Sequence, residues 1–183
     1  TFAAPLELHS PRCVLRQWKG SDLAPWVEMN ADPEVRRYFP SLHDTEQALA
    51  EAGRCRDAIA QRGWGLWALE LPGEFAFAGF VGLNVPHYDA PFVPAVEIGW
   101  RLTRAAWGRG YATEASRAAL EFAFARLGLH EVIAIAVPTN EPSLRVMQRL
   151  GMVHDPAGDF EHPRIDAGHP LRRHVLYRAT SPP

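Results

Sequence analysis

The sequence is poor in cysteine and has no strong excess of charge of either sign. Its 183 residues include 2 cysteines, and 19 Lys and Arg residues against 21 Asp and Glu residues give a formal net charge of −2. Cys13 and Cys55 lie far apart and form no CxxC motif, so neither a disulfide framework nor a metal site is expected. The charge balance provides no basic surface for nucleic acid. We therefore predict no metal and no nucleic-acid partner.

Long apolar runs are missing as well. No segment approaches the roughly 20 apolar residues that a membrane-spanning helix needs, and residues 1–5 lack the charged and apolar regions of a signal peptide. We therefore expect a cytoplasmic protein without a membrane partner. The length predicts a single domain over residues 1–183, and 47% hydrophobic content is normal for a globular fold.

Periodicity and turn residues predict the order of the secondary structure. Asp44 and Gln47 resemble a capping box, and Gly63 follows an apolar stripe that includes Cys55. Residues 155–170 form a polar loop without a clear period. The predicted elements are a strand near residues 6–8, helices over 22–30, 33–38 and 45–62, strands over 65–71, 75–85 and 93–103, a helix over 112–128, a strand over 131–137, a helix over 143–150 and a strand over 173–180.

The segment over residues 93–137 is predicted to run from strand through a glycine loop into a helix and back to a strand. Such a unit requires a right-handed parallel crossover. A helix start leaves backbone N–H groups free and favours anions, and Gly108 and Gly110 allow phosphate oxygens to approach the main chain. Arg104 and Arg109 add positive charge. The loop therefore indicates a nucleotide-like cofactor.

Three cofactors compete for this loop. A Walker phosphate loop is excluded because the chain has no Gly-Lys-Ser/Thr triplet. A dinucleotide fingerprint needs a small residue where Thr113 stands and an acidic residue at the end of the next strand, whereas Glu131 begins that strand. These departures weaken a nicotinamide-dependent enzyme and favour coenzyme A.

Two motifs support that choice. Trp107-Gly-Arg-Gly-Tyr-Ala112 resembles the pyrophosphate loop of the GNAT acetyltransferases, and Asn140-Glu-Pro-Ser143 resembles their second cofactor motif. Together with Glu-Ile-Gly-Trp at residues 97–100, they are similar to the branch containing the ribosomal-protein (Rim-type) N-terminal acetyltransferases. The resemblance implies an α/β (α+β) fold with a mixed, mostly antiparallel sheet, a splayed parallel strand pair and helices on both faces.

The resemblance also implies acetyl-CoA as co-substrate and a primary amine as acceptor, on a protein N-terminus or a small molecule. Trp107 stands where the wider family has Gln or Arg, so we expect Arg104 or Arg109 to replace that phosphate contact. The strand edge near Trp100 and Leu102 can pair with the amides of pantetheine. The expected cofactor-binding residues are Trp100, Leu102, Arg104, Trp107, Gly108, Arg109, Gly110, Tyr111, Ala112, Thr113, Asn140 and Ser143.

Glu97 is the first candidate for the general base, because burial in an apolar strand raises the pKa of a carboxyl group. Alternatively, it faces solvent or pairs with Arg101, which shares its face of the strand. His162 and His169 are alternative bases. Ser143 resembles the family residue that protonates the leaving thiolate, although Asn140 and Ser143 are also ordinary helix-capping residues.

The acceptor pocket is expected outside the cofactor motifs, with Tyr38, Phe39, His162 and His169 as substrate-binding walls. Tyr38 and Phe39 are alternatively anchors of the early helices. Direct transfer is expected because no Cys–His pair is apparent. A non-catalytic acyl-CoA-binding or sensor domain of the same fold is the alternative function. The resemblance is compatible with a monomer or a homodimer.

Overall fold

A nine-stranded mixed sheet organises the chain in the computed structural model, which describes residues 6–181. Residues 1–5, on which the signal-peptide prediction rests, lie outside the described residues. The helices are α1 (Leu23–Ala31), α2 (Thr45–Arg62), α3 (Tyr111–Ala125) and α4 (Glu141–Arg149). The strands are β1 (Leu8–His9), β2 (Val14–Arg16), β3 (Leu66–Glu70), β4 (Gly79–Asn84), β5 (Glu97–Leu102), β6 (Glu131–Ala136), β7 (Val153–His154), β8 (Phe160–Glu161) and β9 (Arg173–Thr180).

The strand order contains one parallel pair. The order is β1-β2-β3-β4-β5-β6-β9-β7, with β8 paired to β9, and β5 with β6 is the parallel pair of this sheet over residues 6–181. That pairing is limited to Glu97 opposite Ile133, although both strands continue beyond these residues. The two strands therefore part, and a wedge opens between them toward the glycine loop.

Helices cover both faces of the sheet. On one face, Trp26 of α1 packs against Phe80 of β4 with ring centroids 5.5 Å apart. On the other face, Trp67 of β3 meets Phe122 of α3 at 5.6 Å. Burial of these large rings supplies much of the hydrophobic stabilisation of the core. The predicted fold class is confirmed.

The sequence predicts helix boundaries best where capping residues mark them, as in α2. In α2, Asp44 Oδ1 accepts the N–H of Gln47 at 2.8 Å, and Gln47 Oε1 accepts the N–H of Asp44 at 3.0 Å. Gly63 ends the helix at φ 82°, and Cys55 is buried on the predicted stripe. Within residues 6–181, no helix has both the length and the apolar content to cross a bilayer.

Several boundaries require correction. The helix predicted over residues 33–38 is wrong, because Asp32 turns extended and the chain continues in isolated turns, with Phe39 N donating to the carbonyl of Arg36 at 2.9 Å. The first strand lies at Leu8–His9, and strand β2 was missed. The strands predicted over 75–85 and 93–103 are shorter, and the late loop contains β8.

Candidate active site

Glu97 lies at the apex of the wedge. It begins β5 and pairs with Ile133 at the point where the parallel strands separate. The side chain is half-buried, and burial raises its pKa to about 7. Within residues 6–181, no group donates a hydrogen bond to the carboxylate. The alternative pairing with Arg101 is wrong, because Arg101 binds Glu51 with Nη1 3.0 Å from Oε2. Glu97 is thus available to a bound molecule.

The edge of β5 that faces the wedge retains free main-chain groups. Thr103 N donates to the carbonyl of Ala78 at 2.9 Å. Because alternate residues of an antiparallel strand bond its partner, the odd-numbered residues of β5 make the hydrogen bonds to β4. The main-chain groups of Trp100 and Leu102 therefore point toward β6, which has already diverged. The carbonyl of Leu102 accepts the indole N–H of Trp107 at 2.8 Å. The N–H and carbonyl of Trp100 face the wedge, where no strand within residues 6–181 pairs with them.

The glycine loop forms a cradle at the start of α3. Gly108 and Gly110 have φ values of 73° and 84°, in the left-handed region that other residues avoid. A Cβ on Gly108 would meet nothing within 4 Å, and Gly110 is the N-cap of α3. In the first turn, beside half-buried Ala112, the buried Oγ1 of Thr113 has no hydrogen-bond partner within the described residues. Open space at Gly108 and the free N–H groups of the helix start fit the diphosphate of coenzyme A.

The two arginines expected at this loop are turned toward carboxylates. Arg104 lies 3.4 Å from Asp32, measured from Nε to Oδ2. Arg109 makes two hydrogen bonds to Glu74, at 2.5 and 2.9 Å, and the hydroxyl of Tyr111 donates to the same carboxylate at 2.9 Å. These bonds lower the pKa of Glu74. In this arrangement both arginines point at carboxylates and not into the glycine loop.

Arg12 contacts the glycine loop from the turn between β1 and β2, a contact that the sequence did not predict. Its Nη1 donates to the carbonyl of Arg109 at 3.1 Å, and its Nε donates to Glu114 at 2.7 Å. Its Nη2 lies 3.5 Å from the position that a Cβ on Gly110 would occupy. Because Glu114 is 102 residues away in sequence, no local pattern connects these residues. Arg12 fastens the turn between β1 and β2 to the start of α3.

The start of α4 faces β5. Asn140 caps the helix, since its Oδ1 accepts the N–H of Ser143 at 3.2 Å. The Oγ of Ser143 accepts the indole N–H of Trp100 at 3.3 Å. These two residues therefore cap α4 and also lie beside the wedge.

The predicted acceptor walls fall into two groups. Phe39 lies over the guanidinium groups of Arg36 and Arg101, with each Cζ 4.4 Å from the ring centroid. Tyr38 stacks only loosely against Arg37, at 5.5 Å. Phe39 thus covers the same strand that carries Glu97, whereas Tyr38 contacts its own segment.

The histidines also differ in their surroundings. The ring of His162 lies 4.6 Å from that of Tyr88, whose hydroxyl oxygen is buried without a partner within residues 6–181. The pKa of Tyr88 is raised mainly by burial and, to a smaller extent, by the negative charge of the nearby Glu97 carboxylate. Tyr88 was missed because it lies in an irregular loop. His169 accepts the N–H of Leu171 at 3.1 Å and belongs to its own turn.

His162 is a poor base in this arrangement. Burial lowers its pKa to about 4, so the ring is neutral near pH 7. Its Nδ1 accepts the N–H of Arg164 at 3.2 Å, which leaves the ring proton on Nε2. His162 therefore presents a donor, and Glu97 is the better proton acceptor.

Three features occur together: a parallel strand pair that separates, a glycine loop at the start of α3 and the capped start of α4. This combination is typical of a fold that binds acyl-coenzyme A. Residues 12–153 match the family described as acetyltransferase (GNAT) domain, and the chain belongs to this family. GNAT acetyltransferases use acetyl-CoA as co-substrate, so the predictions of family and cofactor are confirmed.

Individual relatives agree with this assignment. The chain is 29% identical over 148 residues to the uncharacterized N-acetyltransferase YnaD of Bacillus subtilis, covering 80% of this chain and 82% of that protein. A GNAT-family acetyltransferase from Bacillus anthracis has a similar structure, with a TM-score of 0.77 at 24% identity over 96% of this chain and 98% of that one. RimJ from Mycobacterium smegmatis, solved with CoA-disulfide, has a TM-score of 0.74 at 23% identity over 97% and 88% of the two chains.

Proposed function

We propose that this protein transfers the acetyl group of acetyl-CoA directly to a primary amine, with Glu97 as the general base. The observation that carries the proposal is the position of Glu97 at the apex of the wedge, where no group within residues 6–181 makes a hydrogen bond or ion pair to its carboxylate. The cofactor loop is proposed to hold the diphosphate through the first N–H groups of α3, including that of Thr113. The edge of Trp100 is proposed to hold the pantetheine amides.

The pKa of Glu97 suits this role. An α-amino group has a pKa of about 8, so its proton moves to a carboxylate with a pKa of about 7 at a cost of ~1.4 kcal/mol. An ordinary glutamate with a pKa of about 4.3 would make the same transfer cost ~5 kcal/mol. Burial of Glu97 thus favours the deprotonated amine that must act as nucleophile.

Acetyl-CoA, when bound, supplies the acetyl group as an activated thioester with a thiolate leaving group. Ser143 accepts the indole N–H of Trp100, so its own hydroxyl proton is free to donate to that thiolate. Direct transfer is supported by the cysteines, since burial raises the pKa of Cys13 to about 11 and that of Cys55 to about 12. Thiols in that range are poor nucleophiles near pH 7.

The experiment is release of free thiol from acetyl-CoA by the purified protein with a panel of amines. The panel includes short peptides with a free N-terminus, because a fold neighbour is RimJ, and small primary amines. We expect amine-dependent thiol release and thermal stabilisation by coenzyme A. Stabilisation without thiol release would favour the non-catalytic acyl-CoA-binding domain. Absence of stabilisation would contradict the assignment of the loop.

A further inference from the structure

Two buried arginines meet on the face of β5 that carries Glu97. Arg36 follows α1 and is 5% exposed, while Arg101 lies in β5 and is 9% exposed. They share one acceptor, because Nη1 of each lies near Asn30 Oδ1, at 3.3 and 2.9 Å. Buried guanidinium groups stay charged and are normally paired with carboxylates.

The negative charge near this pair is insufficient. Arg101 binds Glu51, whereas the hydrogen bonds of Arg36 go to the amide of Asn30 and to the carbonyl of Ser41 at 2.9 Å, both neutral. Burial lowers the pKa of His43, which lies 3.4 Å from Glu51 and adds no charge near pH 7. Among the described residues 6–181, the contacts of this pair thus comprise two guanidinium groups and one carboxylate, which leaves one unbalanced positive charge.

A donor is also left open in this cluster. The Nε of Arg101 is buried and has no hydrogen-bond partner within the part of the chain that the structure describes. Desolvation and then the charge of Arg101 lower the pKa of Arg36 to about 10. A buried charged donor without an acceptor is costly, and an anion would satisfy both the charge and the donor.

The cluster is close enough to Glu97 for one molecule to reach both. Glu97, Gly99 and Arg101 alternate onto the same face of β5, with about 13 Å between the first and last Cα atoms. A Cβ on Gly99 would meet only Leu66 Cδ2, at 3.9 Å, so the strand leaves space between the carboxylate and the guanidinium. Phe39 covers the arginines and is itself 38% exposed, which places the pair directly beneath the surface.

We propose that the acceptor carries a carboxylate in addition to its amine, and that Arg36 and Arg101 bind this carboxylate while the amine lies at Glu97. The planar guanidinium matches the geometry of a carboxylate, and displacement of the Phe39 ring gives access to it. The inference rests on the proposed acetyl transfer, because it names the acceptor of the same site.

The first test compares amines that differ in one group. Wild-type protein and acetyl-CoA are assayed with ω-amino acids of increasing chain length and with the corresponding carboxamides. We expect kcat/KM to be roughly ten- to hundredfold higher for the acid of the best length than for its amide. Equal or lower kcat/KM for every acid, with acetylation of the amides intact, would overturn the inference and leave the proposed function standing.

Variants locate the effect. Arg36→Gln removes the unbalanced charge without leaving a carboxylate unpaired, and it should abolish the preference for acids. Arg101→Gln should do the same, but it removes the arginine that pairs with half-buried Glu51 and therefore risks misfolding. Arg37→Gln is the matched control, because Arg37 is exposed and stacks on Tyr38. A preference for acids that persists in Arg36→Gln at wild-type strength would contradict the assignment.

A binding measurement separates the two proposals. Melting of the protein is followed with glutarate and with chloride at equal ionic strength. Glutarate should raise the melting temperature of wild type and of Arg37→Gln, but not that of Arg36→Gln. This result without thiol release from any amine would retain the carboxylate site and refute acetyl transfer. No stabilisation by glutarate together with no preference for acids would refute the site.

Discussion

Trp100 donates its indole N–H to the Oγ of Ser143 at 3.3 Å, joining the edge of β5 to the first turn of α4. The two residues lie in separate sequence motifs, 43 positions apart. Because the hydroxyl oxygen is the acceptor, the hydroxyl proton is left for another partner. This bond therefore orients Ser143 beside the wedge.

Ser143→Ala should lower turnover more than it lowers affinity for the cofactor. Loss of a hydrogen bond to a developing thiolate predicts a fall in kcat of roughly 10- to 100-fold, with the Kd for coenzyme A changed little. Steady-state kinetics and calorimetry measure the two effects separately. Trp100→Phe, which keeps an aromatic ring but removes the N–H, should show a smaller loss. A variant with normal kcat and weak binding would assign Ser143 to the cofactor site alone.

Gly110→Val should abolish binding of coenzyme A. The residue has φ 84°, which a β-branched side chain strongly disfavours, and its Cβ would stand at the start of α3, 3.5 Å from Arg12 Nη2. Gly128→Val is the matched control, because Gly128 has φ 65° and open space but lies after α3. Both variants should lose stability, and only Gly110→Val should lose affinity. Wild-type affinity in Gly110→Val would contradict the assignment of the loop.

Glu74→Gln should strengthen binding of coenzyme A a few-fold at low salt. Glu74 holds Arg109 through two hydrogen bonds, so its neutralisation frees a cation in the glycine loop and removes a nearby negative charge. The gain should disappear at high ionic strength. Glu121→Gln, on the exposed side of α3, is the control for loss of one negative charge. Weaker binding in Glu74→Gln would mean that the Arg109–Glu74 pair itself shapes the loop.

Arg16→Met should destabilise the fold. Arg16 binds buried Asp22 at 2.8 Å and Glu70 at 2.6 Å, and its removal leaves the Asp22 carboxylate buried without its cation. The free energy of unfolding should fall by about 3 kcal/mol or more, measured by urea denaturation. Arg56→Met breaks an exposed pair with Asp57 and should change stability by less than about 0.5 kcal/mol. Similar losses in both variants would contradict the role of burial.

Local patterns predicted much of the fold. The caps of α2 and the β-branched run of β6 are short-range signals, and both elements lie where periodicity places them. Gly108 and Gly110 revealed the loop, because left-handed dihedrals are specific to glycine there. Residues 33–38 contain helix-forming residues but do not form a helix. The backbone of Asp32 is extended and ends α1, and no short-range pattern in the sequence indicates this.

The partners of the charged residues could not be predicted. Alternation correctly placed Glu97 and Arg101 on one face, yet Arg101 pairs with Glu51, which is 50 positions away on α2. Arg104 and Arg109 are likewise engaged by distant carboxylates. Such pairs depend on tertiary packing, so spacing along the chain carries no information about them.

The pH dependence of kcat/KM in wild type and in Glu97→Gln tests the central claim most directly. Glu97 accepts a proton only when ionised, so wild-type kcat/KM should rise with pH through an inflection near its pKa of about 7. Glu97→Gln should lose that inflection and roughly 100-fold in kcat/KM, while coenzyme A still stabilises the variant thermally. A variant that keeps both the wild-type rate and the inflection would show that another group is the base.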